Sequence, residues 1–150
     1  MGANAKAALI ESLNALLADS FALYLKTKNF HWHVKGPQFR DLHLLFDEQA
    51  AQIFALTDLI AERVRKNGAA TLTSIGAIAK ASRIADQDGA DLSAEAMVKE
   101  LVADNQVYVA ALREVKAAAG AAGDNATEGV VDDWTDQAEQ RVWFLTQVVA

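Results

Sequence analysis

The chain has 150 residues, a net charge of −6, no cysteine and an apolar fraction of 52%. That is one domain's worth of sequence, enough to bury roughly 70% of the surface its unfolded form would expose. The missing cysteines exclude disulfides, thiolate nucleophiles and cysteine-ligated zinc or iron–sulfur centres. The acidic balance argues against nucleic acid as the default partner, because affinity for a phosphate backbone depends on clustered Lys and Arg.

The apolar content is mostly Ala, Leu and Val, with eight Gly and one Pro, which favours helix and leaves little strand chemistry. The opening stretch MGANAKAALIESLNALLADSF has one Lys and no continuous apolar run ahead of a small-residue cleavage site. It reads as an amphipathic helix rather than a signal peptide. No run approaches the roughly 18 apolar residues of a membrane span, and the cytoplasm is the expected compartment.

A first helix is predicted from about Ala5 to Val34, with Leu9, Leu13, Leu16, Leu17, Leu23 and Tyr24 recurring at spacings of three and four. Gly36 and Pro37 stop it. Pro37 then suits the first position of a second helix, where its missing N–H would be unpaired in any case. That helix runs to about Asn67, with Gly68 as its left-handed cap. The pattern weakens between Ala69 and Leu92, where Thr73 is the predicted cap of a short helix through Ile75, Ile78 and Ala79. A third long helix opens at Ser93 and carries Met97, Leu101, Val102, Tyr108, Val109, Leu112 and Val115 until AAGAAGD ends it. The fourth starts near Asp124 and runs through Val131, Trp134, Ala138, Val142, Leu145 and Val149. Residues 1–150 are expected to form one all-α domain, a ferritin-like four-helix bundle with a short helix in the long crossover between helices two and three. An up-and-down bundle with a loose middle loop is the alternative.

All three histidines, His31, His33 and His43, lie within KNFHWHVKGPQFRDLHLLFDE, residues 28–48. On the second helix His43 and Asp47 are four apart, as are Asp58 and Glu62, so each pair can share an ion, and all four fall within an arc of about 100°. The two pairs are separated by about 16 Å of helix rise, too far to meet in one chain. Positions 43 and 62, like 47 and 58, are centred on the same point between Gln52 and Ile53, as two antiparallel copies of this helix about a two-fold axis require. Such a contact would bring His43 and Asp47 of one chain to Asp58 and Glu62 of the other, an imidazole–carboxylate set suited to iron, manganese or zinc. His31 completes the set if the Gly36-Pro37 turn folds it back, whereas His33 points about 200° away and reads as a surface or interface residue. A solvated polar face would contain the same residue types, and spacing does not decide between the two. The Glu-x-x-His pairs of single-chain di-iron bundles and the His-Glu-x-x-His of zinc proteases do not occur.

Taken together, NFHWHVKGPQF, LHLLFDE and TDLIAERV resemble the signature of the Dps miniferritins, the DNA-binding proteins from starved cells, over essentially the whole chain. The resemblance implies a hollow dodecamer built from two-fold dimers. In that family intersubunit ferroxidase centres oxidise Fe(II), preferentially with hydrogen peroxide, and ferric mineral is stored inside, protecting against oxidative stress. It implies that His31, His43 and Asp47 bind iron from one subunit and Asp58 and Glu62 from its mate, with no haem. Trp32 matches a tryptophan beside the centre that serves as electron donor, with packing as its alternative role. Asp124 matches the acidic three-fold pores through which iron enters, and Glu128 and Asp132 follow it at intervals of four, but the family's frequent second Asp aligns with Gly129. A solvated acidic face is the alternative for Asp132 and Asp136. The family's DNA binding depends on basic tails, and residues 1–8 contain only Lys6. Weak or absent DNA binding is therefore expected, through surface cations near Arg63 to Lys66. A nucleoid-compacting, nucleoid-associated structural protein is the alternative function.

Overall fold

A computed structural model describes residues 2–150. Five helices follow in order: α1 (Gly2–His33), α2 (Phe39–Lys66), α3 (Ile75–Ala81), α4 (Ala94–Ala122) and α5 (Asn125–Val148). There is no strand among the described residues. The four long helices form the bundle: α1 packs against α2 and α4, α5 against α4, and α2 touches α5 only lightly. Leu9, Leu13, Leu16 and Leu23 of α1 meet Phe46, Ile53 and Ile60 of α2 and Leu101, Leu112 and Val115 of α4 in one buried cluster. The spacing of three and four thus becomes the core stripe of each helix.

Three glycines end helices or open turns with positive φ: Gly36 (110°), Gly68 (83°) and Gly123 (71°). Gly36 is the sharpest of them. It swings the chain so that the Phe39 N–H donates to the Gly36 carbonyl at 3.0 Å, a turn with Pro37 at its second position, where a fixed φ is favoured. Pro37 therefore lies in the turn and does not open α2; the cap residue is Gln38, with φ −101° and ψ 20°. Similarly α3 is capped by Ser74 and not by Thr73: the Ser74 Oγ accepts from the Ala77 N–H at 3.1 Å from an extended backbone. Ser93 caps α4 in the same way, accepting from Ala96.

The long middle segment is fastened down, which settles the topology in favour of a crossover. Arg83 donates through its backbone N–H and guanidinium to the fully buried carboxylate of Asp19 at 2.7–3.0 Å, and to Glu114 of α4 at 2.9 Å. Burial works against the charge on Arg83, but the bonds it donates to both carboxylates raise its pKa. Lys26 donates to the Ala85 carbonyl at 2.8 Å while pairing with Asp104 and Glu100 of α4. By length and mean hydropathy α1 could cross a membrane, although polar residues interrupt its apolar run throughout. Its apolar side is instead packed in the core, with 44% of that window buried, and Asp19, Ser20 and Lys26 are buried beside the leucines.

Asp124 joins two helix ends. It caps α5, accepting from the Thr127 N–H at 3.1 Å, and takes the Arg63 guanidinium on both oxygens at 2.9 and 3.0 Å and the Asn67 amide at 2.9 Å. Burial pushes this carboxyl up, but the bonds from Thr127, Asn67 and Arg63 overcome that and hold it well below the usual carboxylate range. Asp124→Ala should cost about 2–3 kcal/mol at pH 7, through a lost cap and a largely buried guanidinium left unpaired. Asparagine caps nearly as well, so Asp124→Asn isolates the charge. Because the folded carboxyl sits below its unfolded value, the charge contribution is complete above about pH 5 and fades as the pH falls toward 2. Urea titrations should therefore show wild type and Asp124→Asn converging on acidification; a gap unchanged down to about pH 2 would refute this role.

Candidate metal centre

The α1–α2 hairpin brings the end of one helix beside the start of the next, and this is where His31 and His43 meet. Their rings stack with centroids 3.9 Å apart and planes inclined by 14°. Each Nδ1 donates to the other residue's backbone carbonyl, His31 to His43 at 2.6 Å and His43 to His31 at 2.7 Å. A carbonyl only accepts, so both neutral rings carry the proton on Nδ1. Both Nε2 atoms are then left with a free lone pair, the arrangement used by metal-binding imidazoles. Phe39 stacks on the other side of His43 at 5.0 Å and fixes its orientation.

Asp47, one turn along α2 from His43, lies with Oδ1 3.7 Å from His31 Nε2. The same oxygen receives the Lys28 ammonium at 2.7 Å. The Lys28 hydrogen bond holds the Asp47 carboxyl below its ordinary range, helped by the positive charge of the same ammonium. His31 Nε2 thus approaches an ionised carboxylate that already carries an ammonium, with the His43 ring stacked against His31. Lys28 was not identified from the sequence. Its position three residues before His31, on the same side of a helix, is the one signal by which it could have been found.

Asp58 and Glu62 do not join this group within the chain. Both are exposed on the far part of α2 and carry no ion pair or hydrogen bond among the described residues. Correspondingly, no cluster of three or more His, Cys, Asp or Glu close enough to hold a metal occurs among the described residues. They share their face with large apolar side chains left about half exposed: Leu44 (50%), Phe54 (50%) and Leu59 (49%). Trp32 is exposed beside His31. His33 turns away from the pair and donates back to the carbonyl and side-chain oxygens of Asn29.

At the start of α5 the three acidic residues do not form one open row. Asp124 is engaged as described, Asp132 pairs with Lys116 at 2.9 Å, and Glu128 is half-buried with its carboxylate against Gly120. Of the surface cations expected from Arg63 to Lys66, Arg63 is turned inward onto Asp124 and Thr127 and Arg65 donates to the Ala69 carbonyl, while Lys66 stays exposed.

The family model described as a ferritin-like domain matches residues 10–150. The DNA protection during starvation protein of Brevibacillus brevis is 34% identical over 133 residues, 89% of each chain. Among solved structures, Dps from Thermosynechococcus elongatus superposes with a TM-score of 0.96 at 28% identity, covering 99% of this chain and 94% of that one. Dps from Vibrio cholerae O1, described as belonging to a broad superfamily of ferritin-like diiron-carboxylate proteins, superposes with a TM-score of 0.92 at 26% identity, covering 98% and 92%. The chain is a ferritin-like protein and, within that class, belongs to the Dps family.

The Lys28–Asp47 contact makes the donor set testable with a spectroscopic probe. A metal dication at Asp47 is repelled by the Lys28 ammonium, by an amount of order 1 kcal/mol in this half-exposed setting. Lys28→Met should therefore tighten Co(II) binding up to about tenfold, followed by its visible absorption, while His43→Ala should weaken it by a similar factor or more. Weaker Co(II) binding in Lys28→Met would mean that the ammonium positions the carboxylate instead of competing for it.

Proposed function

We propose that the protein is an iron-sequestering miniferritin. It would oxidise Fe(II), preferentially with hydrogen peroxide, at centres shared between two-fold-related chains, and store the ferric product in a hollow dodecamer. The observation that carries this reading is the pair of imidazoles locked with both Nε2 atoms free beside the ionised Asp47, while Asp58 and Glu62 stand unpaired on the same helix face. An antiparallel copy of α2 would cover Leu44, Phe54 and Leu59, and would deliver its own Asp58 and Glu62 to His31, His43 and Asp47. Family membership and the diiron-carboxylate description of the Vibrio relative support iron as the substrate.

In this reaction two Fe(II) ions each give up one electron, the O–O bond of one peroxide breaks, and with two protons two waters form. Pairwise delivery avoids releasing hydroxyl radical. Imidazole and carboxylate donors tolerate both oxidation states of iron, and the chain's own contribution is to place the donors and keep Nδ1 protonated, the redox chemistry belonging to the metal. Trp32, exposed next to His31, would supply an electron when oxidant exceeds Fe(II). Iron would reach the interior past the start of α5; with Asp124 held by Arg63 and Asp132 by Lys116, Glu128 is the carboxylate best able to meet it. We place this activity in the cytoplasm, with weak or no DNA binding, in keeping with a net charge of −6 and with Arg63 and Arg65 committed within the fold.

Stopped-flow Fe(II) oxidation with peroxide tests the proposal. His43→Ala and Glu62→Ala should each lose the rapid phase while retaining helix content by circular dichroism. Refolding the two variants together in equal amounts should restore about a quarter of the wild-type sites, because half of the dimers are mixed and each mixed dimer regains one intact site. Failure of mixing to restore activity would rule out a shared centre, and a wild-type rate in either single variant would rule out the ligand set.

A further inference from the structure

Away from the histidines, a small cleft of about 50 Å³ opens between α2 and α5, walled by Glu48, Gln49, Gln52, Arg141 and Phe144. Arg141 is 1% exposed, and its nearest partners are neutral. Its Nε donates to the Asn105 side-chain oxygen at 2.8 Å, an Nη1 contact reaches Gln52 Oε1 at 3.4 Å, and the guanidinium lies 5.6 Å from the centre of the Tyr108 ring. Among the described residues Nη2 has no partner and Arg141 forms no ion pair with a carboxylate. Burial pushes this guanidinium down to about 10, so it remains charged at neutral pH. Gln49, 4% exposed, lines the same cleft with both its amide nitrogen and its amide oxygen unpartnered.

A buried charge without a counter-ion is costly, and so is a buried amide that neither donates nor accepts. One occupant can relieve both. It must be anionic for Arg141, accept from Gln49 Nε2, and donate to Gln49 Oε1. A cleft of this volume takes the equivalent of three or four waters, more than a monatomic ion fills. We propose that the α2–α5 cleft is a binding site for a protonated tetrahedral oxyanion of the phosphate type, whose P–O⁻ meets Arg141 and whose P–OH donates to Gln49. Glu48 at the rim favours a monoanion over a dianion by repulsion.

The test is direct binding of inorganic phosphate to the iron-free assembled protein, by ³¹P line broadening and calorimetry at constant ionic strength. The expected result is one site per chain, with sulfate, which has no proton to donate at neutral pH, binding at least fivefold more weakly (about 1 kcal/mol). Arg141→Met, which replaces an unpaired charge by an apolar side chain of similar length and should preserve the fold, is expected to abolish binding. Gln49→Leu should weaken phosphate and erase its advantage over sulfate. Equal binding of sulfate and phosphate by wild type, or binding unchanged in Arg141→Met, would overturn the proposal. So would an absence of binding in wild type that Glu48→Gln reverses, since that would make the Glu48 carboxylate the counter-ion of Arg141.

Discussion

The reciprocal hydrogen bonds between His31 and His43 are the constraint on which both the hairpin and the site depend. The His43 imidazole closes the His31 carbonyl, one of the carbonyls left open at the end of α1, and the His31 imidazole adds a second bond to the His43 carbonyl of α2, so the same two bonds staple α1 to α2 and set the tautomer of both rings. The turn has to deliver this geometry to within a few tenths of an ångström. It does so through Gly36, whose φ of 110° is strained for any residue with a Cβ, and through Pro37, whose ring removes one backbone freedom from the turn. Phe39 on one side of His43 and His31 on the other leave that ring no alternative rotamer. Structural stapling and ligand orientation are therefore a single arrangement, and a change that loosens the hairpin would loosen both.

The same economy runs through the rest of the bundle, where position along the helices is fixed by buried polar contacts more than by apolar packing. Leucine faces tolerate sliding, because many registers bury similar area. A fully buried Asp19 tolerates only the register in which Arg83 reaches it, and Lys26 accepts only the one that presents Asp104 and the Ala85 carbonyl together. Breaking either would leave an unpaired charge in the interior. These contacts tie the crossover to α1 and α4, so the parallel course of α2 and α4 is specified by a few charges in an otherwise permissive core.

What was legible in the sequence divides along this line. The four long helices, their core stripes, the cap at Ser93, the start of the last helix near Asp124 and the left-handed Gly68 follow from local periodicity and chemistry, and these the structure reproduces. The choice of Ser74 over Thr73 and of Gln38 over Pro37 turns on one backbone dihedral each, which neighbouring residues decide cooperatively. Lys28 could be placed near His31 by helical spacing, but its bond to Asp47 crosses from α1 to α2 and needs the hairpin angle. Arg141 is the instructive case. Val131, Trp134, Ala138 and Leu145 alternate three and four, and the position that continues this run is 141; an arginine there was passed over in favour of Val142, which the structure leaves only partly buried. A charged residue at a core position is a local rule broken, and such places deserve a functional question.

The proposed centre has a further consequence for how the chain behaves before it assembles. In one chain Asp47 is already neutralised by Lys28, and Asp58 and Glu62 are too far along α2 to reach the histidines. A lone chain would then offer iron two imidazoles and a carboxylate occupied by an ammonium, a weak site that leaves oxidation uncoupled from storage. Pairing changes the balance, since two further carboxylates bring enough negative charge for a dication to displace the Lys28 ammonium. The apolar face formed by Leu44, Phe54 and Leu59 would supply the driving force for that pairing, and the carboxylates it carries would repel one another without a cation between them. Assembly and iron binding would in this way be thermodynamically linked. Each would favour the other, and oxidation would be confined to the state in which a cavity exists to receive the product.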